Sequence, residues 1–289
     1  MNFLILELTY LGLFVGMFVV WIWFRDRRPV KLPFTEDFRN QPGKSLLNEL
    51  DDLKLDAFGL LITAFLLPFI ATAIFSQLSD LENRNSLVVV CGVVAWLIMV
   101  GAFFKKTRII RNYKLGYLGE VYVAQCLMPL VAKHYRLFHD YPCRDFNIDH
   151  VVIGPEGIFA VETKARRKRD RKGGSNDVKV RVQGDVLHFP DWTDEESIPQ
   201  AKRQAKWLEK EMIKEFAEPY QVVPVLVIPG WYIDTSAGSS ILVCNGREME
   251  KIIPKWGKEK LSRDRLPKLV GFFRRRCSYR PDQETTKAK

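Results

Sequence analysis

Cysteine is scarce in this sequence, and no two cysteines stand at CxxC spacing. The five are far apart and odd in number: Cys91, Cys126, Cys143, Cys244 and Cys277. This pattern excludes a disulfide scaffold, offers no zinc-site spacing and indicates reduced thiols. Glycine and proline are also few, at 18 and 15 of 289 residues, and 47% of the residues are hydrophobic. A collagen-like or disordered chain is therefore excluded.

Several motifs of common chemistry are missing as well. There is no P-loop and no Ser-His-Asp nucleophile elbow, so no nucleotide cofactor is expected. His134 and His139 have no ligand-type neighbours, and His150 is expected to be structural because alternation along a strand turns it away from the face of Asp149. What remains to explain is an uneven charge. Residues 1–104 carry a net charge of −2 and residues 105–289 carry +12, within a total of +10.

Three long apolar stretches occupy the N-terminal third. Residues 3–24 contain one charged side chain, Glu7, whereas residues 57–75 and 86–104 contain none. Each has about the ~20 residues that a helix needs to cross a bilayer, and none shows the polar face of a soluble helix. We therefore predict a three-helix transmembrane region. No ionisable residue lies in the middle of a stretch, so this region is expected to be an anchor without an ion pathway.

Basic residues predict the topology of this region. They follow the first and third stretches, at Arg25, Arg27, Arg28, Lys31, Lys105, Lys106, Arg108 and Arg111. The positive-inside rule places both clusters in the cytoplasm, with the N-terminus outside. The predicted organisation is a transmembrane region at 1–104 with a cytoplasmic loop at 25–56, a cytoplasmic domain at 105–280 and a disordered tail at 281–289.

The pattern of the C-terminal part predicts an α/β domain with a mixed sheet. Apolar residues at helical spacing and Val/Ile-rich runs alternate along the chain. Helices are expected over residues 114–133, 200–216, 247–253 and 258–274. Strands are expected over residues 146–153, 158–164, 222–228 and 241–244, and residues 178–189 are expected to form a further strand or a hairpin.

The hairpin between the first two of these strands brings charged residues together. If residues 154–157 form its loop, the numbers of each cross-strand pair sum to 311, and Asp149 falls opposite Glu162. Lys164 then lies on the same face, two residues further on. Two carboxylates facing each other repel, and a cation such as Mg²⁺ would offset this repulsion. A solvated polar face with a Glu–Lys pair is the alternative.

The residues also resemble a known family. Asp149 followed by Glu162-Thr163-Lys164 is similar to the signature of the PD-(D/E)xK nuclease superfamily. The surrounding residues, over about 112–228, resemble the nuclease-related domain family, NERD. The motifs that carry this resemblance are Gly116-Tyr117-Leu118-Gly119-Glu120, Ile148-Asp149-His150-Val151-Val152-Ile153-Gly154-Pro155-Glu156-Gly157-Ile158-Phe159 and Gln200-Ala201.

The resemblance implies a restriction-endonuclease-like fold, a mixed sheet flanked by helices, and a role for each matching residue. Asp149 and Glu162 would bind a divalent metal, Mg²⁺ or Mn²⁺, with help from Glu120. Lys164 would be the catalytic lysine, and Gln200 would complete the site. The sequence before Gln200 and the basic run that follows Lys164 depart from the family pattern.

That basic run is the densest charge in the chain. It comprises Arg166, Arg167, Lys168, Arg169, Arg171 and Lys172. It would line the path of a nucleic-acid strand, but a solvated loop and a contact with anionic lipid are alternatives.

Together these observations predict a nuclease anchored in a bacterial inner membrane. It would hydrolyse phosphodiester bonds of nucleic acid, with DNA as the expected substrate, at the cytoplasmic face. The alternative is a non-enzymatic membrane tether or sensor that binds nucleic acid or anionic lipid through the same basic domain.

Overall fold

The computed structural model describes residues 38–77, 85–168, 178–247 and 249–279, together with Gly12, Gly16 and Met17. Three predictions lie mostly or wholly outside these residues: the first apolar stretch at 3–24, the basic residues Arg169, Arg171 and Lys172, and the tail at 281–289. The chain divides into two units. One comprises residues 1–36 and 49–112, and the other comprises residues 37–48 and 113–289.

Two long helices contain the second and third of the apolar stretches. Helix α1 spans Lys44–Gln77 and helix α2 spans Asn85–Leu127. Both are long and apolar enough to cross a membrane, so the described residues hold two such helices where the sequence predicted three. Many of their apolar side chains are exposed, for example Phe65 at 61% and Ile98 at 66%.

A proline inside α1 is accommodated by its neighbour. Pro68 has no N–H to donate to the carbonyl of Ala64, four residues earlier. The indole Nε1 of Trp96 on α2 donates to this carbonyl instead, at 3.0 Å. The hydrogen-bonding requirement of an apolar helix is thus met by the other helix, as membrane-spanning helices with internal prolines require.

The described residues of the second unit form eleven strands and several further helices. A 3₁₀ helix spans Met128–Lys133, and helices α3, α4 and α5 span Ser197–Phe216, Met249–Trp256 and Arg265–Arg276. The strands are β1 (Phe38–Arg39), β2 (Arg136–Pro142), β3 (Asn147–Gly154), β4 (Gly157–Thr163), β5 (Lys179–Gln183), β6 (Val186–His188), β7 (Thr193–Asp194), β8 (Val222–Val227), β9 (Tyr232–Asp234), β10 (Leu242–Cys244) and β11 (Ser278–Tyr279).

The main sheet is mixed and has the order β10-β8-β4-β3-β2. Strands β2, β3 and β4 are antiparallel neighbours, whereas β8 is parallel to both β4 and β10. A second sheet has the order β7-β6-β5-β9, and β1 pairs with β11. The mixed α/β class predicted from the sequence is confirmed.

The register predicted for the hairpin is also confirmed. The pairs run from His150↔Val161 to Gly154↔Gly157. Gly157 has φ 133°, a conformation that favours glycine. A Cβ at Gly154 would lie 2.1 Å from the ring of Tyr135, so this position also requires glycine. The turn chemistry thus sets which residues face each other across the two strands.

Helices cover both faces of the main sheet. On one face, buried residues of β3 and β4 pack against α3 and α5, with Leu208, Met212, Phe272 and Phe273 in this core. On the other face, the sheet packs against the C-terminal end of α2, the 3₁₀ helix and α4, with Val123, Leu127, Leu130 and Ile253. All of β4 is buried, which explains its continuous apolar run before Glu162.

The sequence prediction missed or misplaced a few elements. Strand β2 was not predicted, because Arg136, His139 and Asp140 interrupt its apolar pattern at the edge of the sheet. The helix predicted from residue 258 begins only at Arg265. The helix predicted from residue 114 is the end of α2, which starts at Asn85 and passes without a break through the predicted domain boundary.

Candidate active site

Glu162 lies at the centre of the polar cluster at the carboxyl end of β4. Its side chain is buried, with 3% of the residue exposed. Its Oε1 accepts a hydrogen bond from Gln200 Nε2 at 2.8 Å and lies 2.6 Å from Lys164 Nζ. Its Oε2 accepts from Gln204 Nε2 at 2.6 Å. Glu162 is therefore fixed in one orientation by three donors.

Asp149 lies beside it, one residue beyond the last paired position of β3. Its Oδ2 accepts the backbone N–H of Thr163 at 2.6 Å, so the carboxylate takes over a donor at the end of the ladder. Burial raises the pKa of Asp149 well above its ordinary value, and the negative charges of Glu162 and Glu120 add to this effect. The Thr163 N–H and Lys164 oppose it in part.

Glu120 joins the cluster from helix α2. It is 7% exposed. Burial raises its pKa to about 8, with further contributions from Asp140 and Glu162. The backbone N–H of Gly43 and the charge of Lys164 act in the opposite direction. The three carboxylates therefore repel one another, and a single lysine offsets only part of that repulsion.

Two glycines allow the backbone to approach Glu120. Gly43 has φ 68°, and a Cβ there would lie 2.8 Å from the ring of Tyr117. A Cβ at Gly119 would lie 2.6 Å from the Cβ of Ala165, just after the site lysine. The Gly119-Glu120 pair in the sequence motif thus serves close packing of α2 against the end of β4.

Helix α3 supplies both glutamines, and Asp194 positions its first turn. Asp194 Oδ1 accepts the N–H groups of Glu196 at 3.1 Å and Ser197 at 2.9 Å, and Oδ2 accepts the Ser197 hydroxyl at 2.7 Å. Burial disfavours its charged form, but the hydrogen bonds from Ser197 and Arg166 outweigh this effect, and the pKa of Asp194 is lowered. The start of α3 is therefore fixed by a charged acceptor.

Sequence reasoning missed Gln204 and Asp194. Gln204 follows Gln200 by one helical turn, so i,i+4 spacing on a predicted helix was the available signal. Asp194, three residues before Ser197, was recognisable as a residue type that caps helices. Gln204 Oε1 is buried and has no hydrogen-bond donor among the described residues, so this oxygen could accept a hydrogen bond from, or coordinate, a bound ligand.

The predicted nucleic-acid contacts are only partly described. Arg166 forms an ion pair with Asp194, at 2.9 Å, and its backbone carbonyl accepts from Trp231 Nε1. Arg167 and Lys168 are exposed, with the Lys168 ammonium 5.7 Å from the ring centroid of Trp231. Arg166 therefore has a structural partner, whereas Arg167 and Lys168 are open to solvent.

The histidine pair behind the cluster is neutral. His150 is fully buried, and its Nδ1 lies 2.9 Å from Nδ1 of His139. Burial lowers the pKa of His139 to about 4, and burial together with His139 lowers the pKa of His150 well below its ordinary value. One ring nitrogen of the pair must therefore carry the shared proton, and neither ring supplies a positive charge near the carboxylates.

The donor types of the cluster fit a hard divalent cation. Carboxylate oxygens suit Mg²⁺ and Mn²⁺, and a cation would relieve the repulsion that raises the pKa values of Glu120 and Asp149. Gln204 Oε1 adds an unpaired buried oxygen. Among the residues that the structure describes, no three His, Cys, Asp or Glu side chains are already arranged as a metal-binding group.

The fold and the residues of the candidate site form one unit, an α/β domain with a polar cluster at the end of a strand. The molecule carries an α/β domain in which acidic residues, a lysine and two glutamines meet at the carboxyl end of a buried strand. Residues 115–229 match the family model of the nuclease-related domain, NERD. This match confirms the resemblance drawn from the motifs of the sequence. No curated protein and no solved structure matches the chain.

Proposed function

We propose that this protein is a metal-dependent nuclease of the PD-(D/E)xK type, anchored in a membrane and acting on DNA. The observation that carries the proposal is the grouping of Glu120, Asp149, Glu162 and Lys164 within the segment that matches the nuclease-related domain. These residues come from a helix and two strands, and their charges act on one another.

Asp149, Glu162 and Glu120 would hold the cation. When bound, Mg²⁺ or Mn²⁺ supplies Lewis-acid polarisation of the scissile phosphate and lowers the pKa of a coordinated water. The residues of the chain prepare for this. Gln200 and Gln204 hold Glu162 in place through its two oxygens, and second-shell bonds of this kind orient a ligand before the substrate arrives.

Lys164 has the role of stabilising charge. Its ammonium lies 2.6 Å from Glu162, and its side chain is 20% exposed, so a phosphate at the site can reach it from solvent. A fixed cation stabilises the negative charge that develops on a phosphate in the transition state. In this position the lysine would also orient the attacking water.

The substrate proposal rests on charge. Residues 105–289 carry a net charge of +12, and the exposed side chains of Arg167 and Lys168 lie only a few residues after Lys164. Phosphate contacts of this kind bind nucleic acid without reading its sequence.

The anchor proposal rests on α1 and α2, which are apolar enough to cross a bilayer. Basic residues flanking them favour a bacterial inner membrane, with the N-terminus outside and the nuclease domain in the cytoplasm.

The experiment is a cleavage assay with the full chain in a neutral detergent. Labelled double-stranded DNA, single-stranded DNA and RNA are incubated with Mg²⁺, with Mn²⁺ or with EDTA. Lys164→Ala and Asp149→Ala are compared with Lys210→Ala, which removes an exposed lysine from α3. We expect metal-dependent cleavage that each site variant reduces by about 10²–10³-fold and that the control leaves unchanged.

Other outcomes separate the alternatives. Cleavage in EDTA, or cleavage that survives both site substitutions, would overturn the mechanism. Nucleic-acid binding without any cleavage would favour a tether or sensor. Binding only to vesicles of anionic lipid, lost when Arg167 and Lys168 are neutralised, would favour a lipid-reading role.

A further inference from the structure

A cavity of about 340 Å³ lies at the β2 edge of the main sheet, and none of Glu120, Asp149, Glu162 and Lys164 lines it. Its wall includes Arg39 of β1, Arg136 of β2 and Arg274 of α5. These three arginines are far apart in the sequence, and the fold brings them around one space. Cavities of this size are typical of sites for small molecules.

Among the described residues, the three arginines have no acidic partner. No Asp or Glu lines the cavity, and none of the three arginines forms an ion pair with the described part of the chain. Their neighbours on α5 differ, because Arg275 pairs with Glu215 and Arg276 pairs with Glu211. Three arginines around one cavity, with no acidic residue in the described part of its wall, favour an anion.

The backbone around the arginines is held in place. Arg39 is paired with Ser278 in the small β1–β11 sheet, which brings β1 next to the end of α5. Arg136 Nη1 donates to the carbonyl of Tyr135 at 3.2 Å. Asn40, also in the wall, donates from Nδ2 to the carbonyl of Asp140 at 3.0 Å. The backbone that carries Arg39 and Arg136 is therefore fixed by strand pairing and hydrogen bonds on the wall of the cavity.

The rest of the wall is largely apolar. Met128 and Val131 of the 3₁₀ helix line it and are 58% and 43% exposed, and Leu137 and Val270 contribute further apolar surface. A free inorganic anion would leave this surface in water. A ligand with an apolar body would cover it, at roughly 25 cal/mol per Å².

We propose that this cavity binds a phosphate monoester carried on an apolar or aromatic body. Arginine forks match the geometry of a phosphate, and the apolar wall accommodates the body. A nucleoside monophosphate and a phosphatidate lipid share this chemistry, so the source is distinguished by experiment. The site is independent of the proposed nuclease activity, because it uses none of the residues of the carboxylate cluster.

The test measures binding by calorimetry, with the full chain in neutral detergent and EDTA. EDTA removes divalent cations and with them metal-dependent binding at the carboxylate cluster. The probes are AMP, soluble dihexanoyl phosphatidic acid, adenosine, dihexanoylglycerol and inorganic phosphate. We expect one of the two phosphate monoesters to bind, with its phosphate-free counterpart and inorganic phosphate each at least about 10-fold weaker.

Charge-matched variants assign the binding to the cavity. Arg39→Gln/Arg136→Gln/Arg274→Gln should weaken binding at least about 100-fold, since each arginine contributes about 10-fold. The control removes three exposed charges elsewhere, in Arg263→Gln/Lys268→Gln/Arg275→Gln, and should bind as the natural chain does. The proposal is overturned if neither monoester binds, if a phosphate-free probe binds equally well, or if the cavity variant and the control lose affinity alike.

Discussion

Replacing Glu120 by glutamine should stabilise the protein in the absence of metal. The substitution keeps the size of the side chain and an oxygen that can accept the Gly43 N–H, but it removes the charge that Asp140 and Glu162 repel. A carboxyl whose pKa is raised binds its proton more tightly in the folded than in the unfolded chain. The contribution of Glu120 to the stability of the folded chain is therefore most favourable below about pH 4.5 and is lost as the pH rises through about 8.

The size of the effect follows from the same numbers. A pKa of about 8 against the ordinary 4.5 corresponds to at most about 5 kcal/mol of lost stability for a fully deprotonated Glu120. Asp149 titrates beside it, so part of this energy belongs to the pair, and we expect roughly 2–3 kcal/mol from the substitution at pH 9. For a chain of this size, this amounts to a rise in Tm of roughly 5–10 °C.

The assay is thermal unfolding of the full chain in detergent and EDTA, from pH 5 to pH 9. The natural chain should lose Tm over this range, and Glu120→Gln should lose much less. Glu195→Gln, an exposed glutamate, is the matched control and should follow the natural chain. Equal losses in all three proteins, or a lower Tm for Glu120→Gln at pH 9, would refute a strained carboxylate at this position.

Three further predictions concern other parts of the site. Lys164→Met should lower the cleavage rate by about 10²–10³-fold at saturating DNA while circular dichroism shows a folded chain, because the substitution removes the ammonium that would stabilise negative charge on the phosphate. Gln204→Leu should raise the Mg²⁺ concentration for half-maximal cleavage about 10-fold, because Glu162 loses the hydrogen-bond donor to its Oε2. The control Gln221→Leu, at an exposed position, should leave this concentration unchanged, and equal Mg²⁺ curves for the two variants would contradict the role of Gln204. Asp194→Ala should cost about 2 kcal/mol, seen as a fall in Tm, because the first turn of α3 loses its acceptor and Arg166 loses its partner; an unchanged Tm would show that the cap is dispensable.

The hairpin of β3 and β4 could be predicted because its information is local. A glycine-rich turn of four residues and the alternation of side chains are enough to pair His150 with Val161 and to place Asp149 next to Glu162. The two long apolar helices could also be predicted, because a long run of apolar residues without charges indicates an apolar helix wherever it occurs in a chain. Strand β2 was not, because an edge strand with Arg136 and Asp140 lacks the pattern of a buried one.

The sequence by itself determined the mixed α/β class, the register of the hairpin and the residue types of the candidate site. Only the tertiary structure decided which distant residues complete it. Gln204, which the sequence analysis did not name, reaches the site through the orientation of α3 that Asp194 holds, whereas Glu120 was implied by the resemblance and is brought there by the packing of α2. The arginine-lined cavity unites residues 39, 136 and 274 in the same way. Turn geometry and periodicity act between near neighbours, whereas these encounters depend on how whole helices and strands pack, and no local pattern encodes that.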